Sequence, residues 1–165
     1  MSVEIPFDWD GILRRSSPET KLSAEEVILM LLNAGQVNGK TILQKQVFVA
    51  WMEMLKDRTQ DFLFHPDQYG PFSSLVGDAV KRLRKEGKIK ILPKGEKHET
   101  YVITPHGVEH LLQVTTFKVL PKSLLDELAK RKARWDEWDT EGIQSYVYRN
   151  YPQYAMKTRI PRLKW

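Results

Sequence analysis

The sequence predicts a mainly α fold with one small β-hairpin, and three observations carry that prediction. Apolar residues recur at the helical period in three successive segments between residues 24 and 83. The runs KIKIL and ETYVIT then alternate as strands around the turn PKGEK. A further helix opens at Thr104-Pro105, where proline suits a first turn because its missing N–H is no loss there. Helix, helix, helix, hairpin, helix is the order of a winged helix-turn-helix, in which three helices bury each other's apolar stripes and the hairpin covers the open end of the core. A C-terminal helical extension follows.

Residues 1–20 hold Pro6, Gly11 and Pro18 and no sustained period, so they read as an N-terminal arm whose Phe7 and Trp9 pack back on the domain. Ser23 and Glu26 form a capping-box signature. Ala24, Val27, Ile28, Leu31 and Leu32 are the inward stripe of helix one, which stops between Asn33 and Gly35. Asn38-Gly39 reads as a turn, and Thr41 with Gln44 as a second capping box. Helix two is expected over residues 42–56, buried along one side through Leu43, Val47, Ala50, Trp51, Met54 and Leu55. Segment 58–71 contains the breakers Pro66 and Pro71 and a short apolar alternation at Phe62 and Phe64. Helix three is expected over residues 72–86, capped by Ser73 or Ser74 and burying Leu75, Val76, Ala79, Val80 and Leu83. The helix after the hairpin carries Val108, Leu111 and Leu112.

The chain therefore divides into an arm (1–20), a winged helix-turn-helix domain (21–113), a helical extension (114–156) and a basic tail (157–165). The extension contains PKSLLDELAKRKARW, whose Leu124, Leu125 and Leu128 suit the core or a second subunit, and the aromatic segment IQSYVYRNY. Most of Trp135, Trp138, Tyr146, Tyr148, Tyr151 and Tyr154 are expected to complete the core.

At 165 residues and 41% hydrophobic the chain can bury a real core, and its net charge of +5 permits a polyanionic partner without demanding one. It contains no cysteine, which excludes disulfides and thiol chemistry. No signal-peptide pattern opens the chain, and the longest apolar run, VILMLL, falls far short of the roughly 20 residues that cross a bilayer. The expectation is a cytoplasmic protein with no membrane association.

Charge is concentrated where the fold would use it. Between residues 81 and 97 stand Lys81, Arg82, Arg84, Lys85, Lys88, Lys90, Lys94 and Lys97 against Glu86 and Glu96. The sequence therefore points to duplex DNA as the partner. Lys81, Arg82, Lys85, Lys88, Lys94 and Lys97 would supply phosphate contacts, with Ser73, Ser74 and Gly77 near the groove floor. Asp78 opposes phosphate unless it pairs with Arg82. In the turn before helix three, Pro71 can fix the backbone, Gly70 can take a conformation closed to other residues, and Tyr69 and Phe72 can pin the turn against helix two. A structural corner and a ligand or partner surface both fit that turn.

GKTILQKQVF (39–48), FHPDQYGPFSSLV (64–76), YVITPHG (101–107) and YVYRNYPQYAMKTRI (146–160) resemble a group of uncharacterised archaeal winged-helix proteins that share the Tyr-Gly-Pro turn. More remotely, the turn resembles the Panacea domain of SocA-like antitoxins. The resemblance implies a DNA-binding regulator or an antitoxin-like interaction module, and it transfers no catalytic residue. Lys40, Gln44 and Lys45 match the group's helix-two signature.

Catalytic patterns are thin. HGVEH, His106 to His110, fits a zinc-hydrolase spacing but lacks a third ligand in sequence, and GQVNGKT lacks full phosphate-loop spacing. No enzyme activity and no cofactor are expected. The expected partners are duplex DNA and a second copy of the chain, with a protein-interaction module on the same scaffold as the alternative.

Overall fold

The computed structural model describes residues 21–94 and 98–155, with no side-chain description for Lys94 and His98. Phe7, Trp9, Lys97 and the basic tail lie outside the described residues. The described chain is mainly helical with a small antiparallel sheet. No helix among the described residues is long and apolar enough to cross a membrane.

Helix α1, Ala24–Ala34, starts at the expected capping box: Glu26 N–H donates to Ser23 Oγ and Ser23 N–H donates to Glu26 Oε1. Residues Val27 to Leu32 are all buried, because α1 is enclosed by several later helices at once. Strand β1, Val37–Asn38, replaces the expected turn and pairs antiparallel with a strand far along the chain.

Helix α2, Lys40–Ala50, begins earlier than its periodicity suggests. Thr41 is thus inside the helix, Gly39 is the N-cap, and the second capping box does not form. Nor is α2 buried along one side only. Every residue from Leu43 to Ala50 is buried, Gln44, Lys45 and Gln46 included. The helix then passes into a π-helical turn, Trp51–Leu55, and a short 3-10 turn, Lys56–Arg58. The segment read as a two-proline connection contains a small hairpin, β2 (His65–Asp67) and β3 (Gly70–Phe72), with Tyr69, Gly70 and Pro71 at its corner. Its approach is anchored by Phe62 and Phe64, which pack against Trp51 and Phe48.

Helix α3, Ser74–Lys85, buries Val76, Ala79 and Leu83, with Val80 half-buried. Leu75, expected inside, is exposed. Strands β4 (Ile89–Lys94) and β5 (His98–Ile103) form the expected hairpin, and β1 adds to β5 to give the sheet order β1-β5-β4. Helix α4, Pro105–Phe117, is capped by Thr104, whose Oγ1 accepts from Gly107 N–H. Gly107 is required here: a Cβ would run into the Lys88 carbonyl at the start of β4.

Helices α5 (Lys122–Trp135) and α6 (Thr140–Asn150) do not form a separate layer. The former packs on α1 and the latter on α2 and β3, so their Leu128, Trp135, Val147 and Tyr148 belong to the same core as α1 and α2. The expected 113/114 divide falls inside α4. Leu128 is buried, and Leu124 and Leu125 are half-buried against the same core, the first of the two placements expected for them.

Candidate functional site

The Tyr69-Gly70-Pro71 corner is built from inside. Gly70 has φ 100°, a region that disfavours side chains. A Cβ there would also lie 2.9 Å from the Tyr148 ring and 3.0 Å from Lys45 Cε. Lys45 is 2% exposed and its Nζ donates to the Pro71 carbonyl at 3.3 Å. Burial pushes its pKa down to about 8, against the opposing pull of Asp67. From α6, Gln144 Nε2 donates to the Tyr69 carbonyl. The pins are therefore Lys45, Tyr148 and Gln144. Tyr69, expected to pin the turn, is exposed, and Phe72 is half-buried.

One residue on, Gln44 satisfies both backbone groups of Ser73. Its Nε2 donates to the Ser73 carbonyl at 3.1 Å, and Ser73 N–H donates to its Oε1 at 3.0 Å. Ser73 Oγ in turn donates to the Phe62 carbonyl at 2.6 Å and accepts from Val76 N–H as the N-cap of α3. Gln44 and Lys45 thus fix the position and direction from which α3 leaves the core.

That geometry corrects several sequence-based site residues. Ser73 is 0% exposed with its hydroxyl fully engaged, so it stands behind α3 and not on any groove floor. Arg82 projects sideways to α1, where its Nε donates to Glu25 at 2.5 Å, and the pairing with Asp78 does not form. Its charge also helps hold the Glu25 carboxyl below its usual range, against the upward push of burial. The Lys88 side chain is only 16% exposed and pairs with Glu86 at 3.0 Å. Lys94 ends β4, and Lys97 lies outside the described residues.

What remains forms one stripe. Ser74, Asp78, Lys81, Arg84 and Lys85 are exposed, and Gly77 has open space above it. Their spacing follows a single helical face over three turns. Lys90 is exposed on the adjoining strand β4. Among the described residues Lys81, Arg84, Lys85 and Lys90 make no ion pair. Arg84 was not among the expected contact residues, although its position three after Lys81 was a legible signal. A groove of about 280 Å³ runs along this face between α2 and α3, with Lys40 and Lys81 on its walls and Tyr101 beside them.

The other constellations stay apart from this face. His106 lies 3.8 Å from Glu109 on the exposed side of α4, and no group of three His, Asp or Glu among the described residues is placed to hold a metal ion. Glu53, in the π-helical turn, accepts from Tyr146 OH at 2.6 Å, Tyr151 OH at 2.8 Å and Arg131 Nη1 at 3.0 Å. Burial and these bonds to a carboxylate push Tyr146 up to about 12 and raise Tyr151 as well.

No family model, no curated protein and no solved structure matches the chain.

Proposed function

We propose that the chain binds duplex DNA through the exposed face of α3 and the neighbouring β4–β5 hairpin, as a winged-helix transcriptional regulator. The observation that carries this reading is the stripe of Lys81, Arg84 and Lys85, which stands in solvent beside Lys90 with no ion-pair partner among the described residues, while Arg82 on the same helix is tied to Glu25. Unpaired cations on one rigid face lower the cost of approaching phosphate, since no internal bond has to break first. The N-terminal half of the same face, Ser74 and Gly77, is small enough to approach base edges. The winged-helix reading draws support from the order α1-β1-α2-α3-β4-β5, interrupted between α2 and α3 by the small β2–β3 hairpin, and from the sheet order β1-β5-β4, which sets the β4–β5 hairpin beside α3. It also draws on the resemblance of the Tyr-Gly-Pro segment to the archaeal group.

Fluorescence anisotropy on a random-sequence duplex, titrated with salt, tests the proposal. The triple variant Lys81→Glu, Arg84→Glu, Lys85→Glu is expected to lose binding. Single Lys→Ala variants should each flatten the log affinity against log salt slope by about 0.9. Equal affinity of the triple variant and the parent would end the proposal.

A protein-interaction role is the second reading, favoured by one observation. Leu112, Phe117 and Val119 are exposed around the end of α4, Phe117 by 80%. These residues, and not Leu124, Leu125 or Leu128, are the apolar surface a second copy or another protein would bury.

A further inference from the structure

Next to the Tyr69-Gly70-Pro71 corner lies a cavity of about 270 Å³ that the duplex reading does not use. Lys40, Thr41, Gln44 and Lys45 form one wall, and Asp67 and Tyr69 of the hairpin form the other. Two features distinguish it from a packing gap. The first is Lys45, an almost wholly buried ammonium that carries three donors and makes one hydrogen bond among the described residues, to the Pro71 carbonyl. Buried charge is costly unless a counter-group meets it, and the carboxylate lining this cavity, Asp67, is exposed. The second is the start of α2, where Gly39 provides no side-chain cap, so the amides of Lys40 and Thr41 present the positive end of the helix. Two lysines face one aspartate across the lining, leaving it one positive charge in excess.

We propose that this cavity binds a small oxyanion, the carboxylate or phosphate group of a low-molecular-weight ligand, held by Lys45, Lys40 and Thr41. Pockets for larger ligands start near 300 Å³. The cavity therefore suits a compact ligand and excludes an extended cofactor. It shares Lys40, Gln44 and Phe72 with the groove along α3, so its occupant touches the residues that set the direction of α3. The site does not depend on the chain binding DNA.

Amide chemical shifts of the full chain, titrated with inorganic phosphate or with acetate at ionic strength held constant with chloride, test it. The expected result is saturable shifts at Thr41 and Gly70, with phosphate or with acetate according to the head group accepted. Affinity should fall about tenfold in Lys45→Gln, the loss of one charge-assisted hydrogen bond. Because Lys45 also tethers Pro71, Lys40→Ala and Thr41→Val serve as second variants, their side chains making no hydrogen bond among the described residues. Each should weaken binding about threefold. Lys81→Glu should leave anion affinity unchanged even where it reduces duplex binding. Shifts that match those in chloride, that never saturate, that survive all three cavity variants, or that vanish in Lys81→Glu would each overturn the proposal.

Discussion

On α2, Lys45 lies almost without solvent against the Pro71 carbonyl, whereas on α3, Lys81 and Lys85 stand in water with no ion-pair partner among the described residues. The same side chain on consecutive helices meets opposite environments. The difference lies in what arrives from elsewhere in the chain. Helix α6 and strand β3 pack on α2 and close over Lys45 and Gln44, while α3 packs through one side only, on α1 and β4. A buried polar group forfeits hydration and must find partners inside, so the corner becomes a fixed element with defined bonds. A solvated charge keeps its hydration and remains free for an outside anion. The corner aims the face; in the proposed function the face meets the partner.

The largest effect that would break this contrast comes from the corner. Gln44→Ala leaves the Ser73 N–H buried without a partner, while the Ser73 carbonyl keeps the Gly77 N–H, and should cost about 1–3 kcal/mol in urea denaturation. A loss below about 0.5 kcal/mol would mean that water replaces the amide and that the corner is not dry.

Next comes pH. The pKa of Lys45 is lowered to about 8 in the folded chain from 10.5, so between those values the unfolded chain holds more protons and stability rises as pH rises. The gain is at most roughly 3 kcal/mol. Lys132, lowered by burial against the support of Asp136, adds in the same direction. Tyr101 and Tyr146, both raised to about 12, act oppositely: above about pH 10 the unfolded chain loses phenolic protons that the folded chain keeps, and stability falls. Denaturation midpoints should therefore climb from pH 8 toward 10 and then drop, and Lys45→Met should flatten the climb while leaving the drop.

On the exposed side, the triple Glu variant of Lys81, Arg84 and Lys85 should leave the urea midpoint close to that of the parent, since no internal bond is lost. The smallest effect belongs to Arg82→Ala, which removes a solvent-exposed pair with Glu25. Its midpoint should match the parent within error, and a clear loss would place Arg82 with the corner instead of the face.

Elements defined by near neighbours were legible in the sequence. The Ser23–Glu26 box, the Thr104 cap before Pro105, and the β4–β5 hairpin all rest on contacts a few residues apart or across one turn. Elements defined at long range were not. Strand β1 exists because Val37 and Asn38 pair with Tyr101 and Thr100, and two residues carry no period of their own. Lys45 sits within a run of polar residues that looks solvated until α6 closes over it. Ser73 was rightly placed at the start of α3, but its burial depends on Phe62 and Gln44, which no local pattern shows. On α3 the helical period separated inside from outside well. The exceptions were Leu75 and Arg82, which lie on the flanks where a residue's fate depends on its neighbouring element.

The Glu53 carboxylate has a bearing on how the chain assembles. Arg131, Tyr146 and Tyr151 all come from the last third of the sequence, yet they bind a residue in the π-helical turn that follows α2, and Phe48 on α2 receives Tyr151 and Tyr154 edge-on. A nascent chain leaving the ribosome would have made α1 through α4 while Phe48 still lacked these rings and Glu53 these donors. Completing this core thus requires residues 128–154, and polypeptides cut before them should expose apolar surface and be degraded as unfinished.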